Sequence, residues 1–502
     1  MKNKVSILFL SLLFFTACEK QVLETKPEGQ QSIESLFTNT DGALQGVNAA
    51  YERLGILGSG EAAIFHGIEE KSDNSFHNRS NFEWDRYTET ATTAGIAEGW
   101  SGFFVNIQRA NTVLARLKNV QFKTAEITNK LPESIEGQAY FIRALSYFWL
   151  VQLWGDVPLY TEEITKPESA AKARASTKEV YDQIKKDLDL AIQKLPLKTL
   201  LNNSKGFEKF RASKGAANAL KAEVHLALGE WQAAADAANQ AILSKEFSLY
   251  ATADYIKNFQ GRDENGAESV FEVQYSADNP APLGRLFNGQ TNWYGIQGLV
   301  TGQGRAGSTS TDDSLTIVRV GVKGDGLVQS FETGDVRKAV AISTYNNASM
   351  QWLCNKYFVT GLTSERSSAN LPLMRYAKVL LTRAEALNEI SAGNAEAIDI
   401  INNQIRKRAG LLALSATVTG NQASMRNAIL KERRVEFCYE GQRYFDLLRT
   451  GTLVSQVQGK QGVTINTARI TKHPITSKDI YLLPIPQNEM DNNPKMKQNV
   501  GY

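Results

Sequence analysis

The densest group of ionisable residues runs from Lys431 to Asp446, with the order Lys-Glu-Arg-Arg-Val-Glu-Phe-Cys-Tyr-Glu-Gly-Gln-Arg-Tyr-Phe-Asp. On a helix, Arg433, Glu436 and Glu440 fall on one face at spacings of three and four. Glu436 and Glu440 imitate the paired carboxylates of a glycoside hydrolase. Such a pair works only when an apolar or like-charged setting keeps one acid protonated. Arg433, Arg434 and Arg443 deny that setting and hold both glutamates ionised, so the stretch reads as an ion-pair network locking helix ends together.

Recognition is a stronger lead than bond cleavage. A sugar ring offers an apolar C–H face and a girdle of hydroxyls, so a receptor needs flat rings for the face and Asp, Asn or Arg for the rim. Asp73, Asn74, Arg79, Asn81 and Trp84 supply both kinds within twelve residues. They lie in a polar stretch, 55–99, that also carries Phe65, Phe76, Phe82 and Tyr87. Trp293 and Tyr294, between Asn292 and Gly295, offer an opposite wall. For any one of these rings the alternative is a cap over the core beneath its loop.

Other chemistries lack their motifs. Gly302-Gln-Gly-Arg-Ala-Gly307 has the letters of a dinucleotide fingerprint, yet Ser308-Thr-Ser-Thr311 follows it instead of an apolar helical stripe. Neither a phosphate-loop Gly-Lys-Ser/Thr nor a Gly-x-Ser-x-Gly elbow occurs. His66, His77, His225 and His473 are scattered without ligand spacing, which argues against zinc. An enzyme is not expected, and no cofactor is called for; nothing in the residues decides whether calcium contributes.

The start of the chain sets its compartment. Lys2 and Lys4 form a basic head, Val5 to Phe15 is apolar apart from two serines, and Thr16-Ala17 precedes Cys18. About 20 apolar residues are needed to cross a bilayer, so this short core reads as an export signal. The pattern looks like a bacterial lipoprotein signal that would be acylated at Cys18, with Phe15 where Leu is usual. Removing residues 1–17 lowers the formal charge from +3 to about +1, and nothing then calls for a nucleic-acid partner. Two cysteines remain, Cys354 and Cys438, too few for a disulfide framework. They read as buried thiols, although one bridge between them is compatible with the count.

Residues 18–40 read as a tether and 41–502 as the folded body. Ala43, Val47, Ala50 and Leu54 mark a first helix. Ile135, Ala139, Ile142, Ser146, Trp149 and Leu153 mark a second, apolar on most sides and therefore enclosed, which stops at Gly155. Residues 213–243 form two helices joined at Gly229, with alanines where the backbones approach, and they resemble a tetratricopeptide repeat. A comparable pair follows at 376–409, and helices are expected over 134–154 and 425–450. The predicted class is mainly α: tetratricopeptide-like helix pairs forming a right-handed superhelical scaffold, with a loop-rich insertion over 250–351 that holds short strands such as Val270 to Tyr275.

Leu482-Leu-Pro-Ile-Pro-Gln-Asn-Glu-Met-Asp-Asn-Asn-Pro-Lys-Met-Lys-Gln-Asn-Val-Gly-Tyr502 resembles the closing signature of the SusD/RagB family of outer-membrane lipoproteins. Glu432 to Glu436, Glu440 to Arg443 and Asp446 to Gly451 resemble the family's preceding motif. Further matches lie at Arg143-Ala-Leu-Ser-Tyr-Phe148, Trp154-Gly-Asp-Val-Pro158, Gly334-Asp-Val-Arg337 and Arg375 to Ala386. The resemblance implies four tetratricopeptide-like helix pairs and a noncatalytic cell-surface glycan receptor that serves a SusC-like, TonB-dependent transporter. It also implies helices that face the transporter and loops that face the ligand. Some members of the family carry peptidic or unknown cargo, so a protein-interaction scaffold is the alternative. No family motif transfers to Trp84 or Trp293.

Overall fold

In the computed structural model the described residues are 33–57, 64–74, 83–275, 291–292, 327–346, 351–354, 356–357, 366–367, 369–458 and 463–502. The principal helices are α1 (Thr40–Arg53), α2 (Ile64–Glu70), α3 (Ile96–Arg116), α4 (Leu131–Trp154), α5 (Thr177–Lys194) and α6 (Lys214–Leu228). They continue as α7 (Trp231–Leu243), α8 (Tyr376–Ile390), α9 (Ala395–Asp399), α10 (Gln422–Glu436), α11 (Arg443–Thr450) and α12 (Gln487–Asn492). Helices α1, α3, α4, α5, α6, α7 and α8 pack each on the next, and α10 lies against α8.

Local sequence explains the boundaries. Ser176 caps α5 by accepting from the Glu179 amide, and Glu179 returns the favour to the Ser176 amide at 2.8 Å. Ser213 and Asn421 cap α6 and α10 in the same way. Helix α4 ends where Gly155 turns to φ 71°, a backbone state that side chains resist. As its pattern predicts, α4 is buried on most of its surface, and it packs on α1, α3 and α5.

Strands are short and mostly pair with near neighbours in the chain, the exception among the longer ones being Ser269–Val273 with Leu371–Arg375. The principal ones, in chain order, are β1 (Val157–Pro158), β2 (Arg174–Ala175), β3 (Ser269–Val273), β4 (Ile342–Asn346), β5 (Gln351–Cys354), β6 (Leu371–Arg375), β7 (Ile470–Lys472) and β8 (Asp479–Tyr481). They pair β1 with β2, β3 with β6, β4 with β5 and β7 with β8, all antiparallel, and Thr291–Asn292 pairs in the same sense with Arg366–Ser367. Strand β3 falls where the insertion was expected to hold one. Its partner β6 runs straight into α8, which ties the insertion to the helical stack.

One apolar cluster runs from Phe37 to Met496. The C-terminal segment is stitched into it: the Trp154 indole donates to the Pro484 carbonyl at 2.9 Å, and Arg174 donates to Asn499 at 2.6 Å. The Tyr502 hydroxyl donates to Glu89 at 3.1 Å. Glu89 in turn pairs with the wholly buried Lys71 at 2.9 Å. Cys354 and Cys438 are free, buried thiols, and Cys438 donates to the Val435 carbonyl at 3.3 Å.

The acidic and basic motif around Glu436 departs from its expected geometry. Helix α10 stops at Glu436, and residues 437–442 form a turn in which Tyr439 and Gly441 take φ near 64° and 67°. Glu440 therefore sits in the turn and not on a helical face, and 425–450 is two helices. The buried Glu69 carboxylate at the end of α2 holds this turn, accepting the amides of Tyr439 and Gly441 at 3.0 Å each. Burial pushes Glu69 up to about 7 against the pull of those two amides.

Candidate functional site

Three of the proposed ligand residues lie inside the protein. Asp73 is clamped by Arg443 through two bonds of 2.7 and 2.9 Å and by Arg434 at 3.2 Å. Asn74 is buried and accepts from Arg434 at 2.8 Å. Trp84 is 1% exposed; its ring lies against Gly67 of α2, and its indole donates to the Ala94 carbonyl at 3.2 Å. These placements correct the expectation: all three hold the 64–94 segment onto the body and offer no face to a ligand. Phe65 and Tyr87 are buried with them. Arg79, Asn81, Trp293, Tyr294, the Gly302 to Gly307 run and Cys18 lie outside the described residues.

The Glu436 network is structural, as read from sequence, but its arginines are not those expected. Glu436 is paired by Arg337, Arg375 and Arg408 at 3.2, 3.0 and 2.6 Å, and Glu440 by Arg375 and Lys356 at 2.7 and 2.6 Å. Arg433 turns instead to Asp446, and Arg434 and Arg443 to Asp73. Burial disfavours the charge on Glu436, yet Arg408, Arg375 and Arg337 outweigh it and hold the carboxyl far below the usual range. A carboxylate so held cannot act as a proton donor near neutrality. Among the described residues no group of three or more His, Cys, Asp or Glu is arranged to hold a metal ion.

A cleft of about 290 Å³ opens between α3, the segment after β1 and α12, lined by Trp100, Ser101, Phe104, Pro158, Tyr160 and Glu489 among others. It lies at the small end of ligand pockets, which run from roughly 300 to 1,000 Å³. Trp100 is its buried floor, and Phe104 and Tyr160 are half-exposed walls. The Phe104 ring meets Trp100 at 5.0 Å between centroids and Tyr160 edge-on at 5.8 Å. Glu489 is raised by burial, with a hydrogen bond from the Trp100 indole pulling the other way. Apolar ring faces beside a hydroxyl and a carboxyl can cover a sugar ring and bond its rim.

The wall that carries Tyr160 is fixed from beneath. Arg143 of α4 donates to the Thr161 carbonyl at 2.9 Å and to Asn111 at 2.7 Å, while Asp187 of α5 holds it through bonds of 2.7 and 2.6 Å. Asn111 donates to the carbonyls of Tyr160 and Glu162 at 3.1 and 3.0 Å. The Tyr147 hydroxyl accepts the Tyr160 amide at 2.6 Å, and the Gln108 side chain exchanges two bonds with the backbone of Ile164. Such bonds give an irregular segment a fixed shape that its own backbone does not provide.

Comparison with known proteins accounts for both ends of the chain. Residues 332–502 match the family model described as the SusD family, and residues 37–226 match the one described as starch-binding associating with outer membrane. The chain belongs to the SusD/RagB family. A SusD-like protein, P38, of Formosa agariphila is 27% identical over 100% of this chain and 99% of its own. Among solved structures, a laminarin binding SusD-like protein superposes with a TM-score of 0.71 at 24% identity, over 93% of this chain and 100% of that one. Surface glycan-binding protein A from Bacteroides fluxus superposes with a TM-score of 0.69 at 21% identity, over 93% and 100% of the two chains. The mainly α architecture is thus the SusD fold.

In this SusD-family chain the residues that carried the resemblance build the cleft. Arg143 and Tyr147 from the first matched run hold its wall, Pro158 from the second lines it, and Glu489 comes from the closing signature. Phe104 and Tyr160 escaped the sequence reading. Phe104 lies inside an amphipathic helix, where a ring reads as core. Tyr160 gave no signal at all, because its place depends on bonds from residues 13 to 49 positions away.

Proposed function

We propose that the protein is a noncatalytic glycan receptor: a lipoprotein held at the outer membrane through Cys18 that captures an oligo- or polysaccharide and hands it to a SusC-like, TonB-dependent transporter. The observation that carries the binding step is the pair of half-exposed rings, Phe104 and Tyr160, beside Ser101 and Glu489 in a rigidly backed cleft. The family description and the two glycan-binding neighbours support the same ligand class. Among the described residues no helix is long and apolar enough to cross a membrane, which leaves attachment to the acylated cysteine in this reading. Arg79, Asn81, Trp293 and Tyr294 remain proposed ligand contacts.

The test is calorimetric titration of the mature chain with neutral polysaccharides of different linkage. Saturable binding, weakened in Phe104→Ala and Tyr160→Ala and leaving the ligand uncleaved, is the expected result. Capture of a peptide with indifference to every saccharide overturns the reading. Delivery is tested separately, by copurification of the transporter with the anchored protein and its loss in Cys18→Ala.

A further inference from the structure

A second cleft, of about 460 Å³, lies between the start of α5, the β7–β8 hairpin and residues Gln498 to Val500. Its charged lining is one-sided: Arg174, Lys178, Arg469 and Lys472 face it, with Asp156 as the acid. The two lysines sit at the exposed rim and are partly balanced, Lys178 by Asp182 at 2.6 Å and Lys472 by Asp479. The two guanidiniums deeper in are not balanced in this way. Arg174 donates to the backbone carbonyls of Asp156, Trp154 and Lys497 and to Asn499, at 2.6 to 3.1 Å, so none of these bonds goes to a carboxylate. Burial lowers its affinity for its proton, with only Asp156 opposing.

Arg469 is placed likewise. It donates to the carbonyls of Tyr87 and Glu89 and to the Tyr481 hydroxyl, lies 4.1 Å from the Tyr502 ring centroid, and keeps a buried Nε–H without an acceptor. The Glu89 carboxylate nearby pairs with Lys71 through Oε1 and makes no hydrogen bond to the Arg469 guanidinium, although its charge acts on Arg469 at longer range. Asp156 is engaged too, accepting the amide and hydroxyl of Thr177 at 2.7 and 2.8 Å. Two positioned guanidiniums in a partly desolvated cleft, neither of them hydrogen-bonded to a side-chain carboxylate, suit an anionic oxygen group.

We propose that this cleft is a second saccharide subsite, one that takes the acidic substituent of an anionic glycan, either the carboxylate of a uronic acid or a sulfate ester. The inference rests on the glycan-receptor reading above and adds a ligand class to it. Apolar rim residues Ile475 and Val500, both exposed, leave room for the ring that bears the acid.

The test compares matched ligands by titration calorimetry on the mature chain: oligogalacturonate against its carboxyl-reduced form, and a sulfated carrageenan oligosaccharide against its desulfated form. Binding of the acidic member of at least one pair about tenfold tighter is expected, with the advantage shrinking as salt rises. The pair of rim changes Lys178→Ala and Lys472→Ala, and separately Arg469→Gln, should each cut that advantage at least about threefold while leaving neutral binding unchanged. Lys257→Ala, at an exposed lysine elsewhere, should leave it intact. Should Arg469→Gln fail to fold, the rim variant alone decides. Equal affinity within both pairs, or an advantage that survives the rim variant or falls equally in Lys257→Ala, overturns the acidic subsite and leaves the receptor reading standing. Indifference to all four ligands and to neutral polysaccharides removes both. The identity of the preferred pair distinguishes carboxylate from sulfate.

Discussion

Trp84 carries the clearest lesson at the scale of single residues. Composition around it looked like a ligand loop, yet the ring is the peg that fastens that segment to α2. An added Cβ at Gly67 would come within 2.2 Å of the ring. Trp84→Ala is therefore expected to cost about 3 to 5 kcal/mol of stability, the usual price of emptying a large buried aromatic site, measurable as a shift in the urea midpoint. Phe104→Ala and Tyr160→Ala should lose glycan affinity about tenfold with little change in that midpoint, since each ring is already partly in water. Glu69 makes a prediction in pH. Its folded carboxyl titrates near 7, while the unfolded one returns to about 4.3, so the folded state binds the proton more tightly. The stability it contributes is full below about pH 4.3 and lost as pH rises through about 7. Glu69→Gln should flatten that decline in pH-dependent unfolding. Composition cannot tell a buried ring from an exposed one in a polar stretch, and so Asp73, Asn74 and Trp84 were read as ligand contacts although they face the body.

Among the elements, helices were legible because each carries its own stripe and cap. Ala43, Val47 and Ala50 of α1, and the Gly229 junction between α6 and α7, lie where their spacing put them. The break after α10 was not legible. Nothing in Phe437 to Gln442 forbids a helix; the turn exists because Glu69, hundreds of positions earlier, captures two of its amides. Gly441 should accordingly resist substitution: its φ is 67°, and an added Cβ would meet the Phe65 ring at 2.7 Å. Gly441→Ala is expected to destabilise by at least about 1 kcal/mol, checked by thermal unfolding of the mature chain. The network beyond the turn explains why one motif holds so many charges. Arg375 precedes α8, Arg337 follows Asp335, and Glu436 ends α10, so a single set of ion pairs joins three separated segments. Removing one partner leaves a buried charge uncompensated, and Glu436→Gln should cost about 3 kcal/mol in the same assay.

On the scale of the whole molecule, most of the fold was readable and most of the site was not, for one physical reason. Helices are specified by neighbours three and four positions apart, whereas the cleft is assembled from α3, the segment behind β1 and α12, elements that only the finished fold brings together. The buried thiols make a global probe of that finished state. Burial pushes Cys438 up to about 12 and Cys354 also upward, so neither should react with a thiol reagent near pH 8 until denaturant opens the core. Reaction in the native state would mean that the core breathes far more than its packing implies.

The last residues have a bearing on biogenesis. Trp154, Arg174 and Glu89 all wait for partners that are synthesised at the far end of the polypeptide, Pro484, Asn499 and Tyr502. Those three positions are satisfied only after residues 484–502 have been made, so the emerging chain stays short of its most stable state until then. That delay would keep it threadable, which suits the exported lipoprotein proposed above.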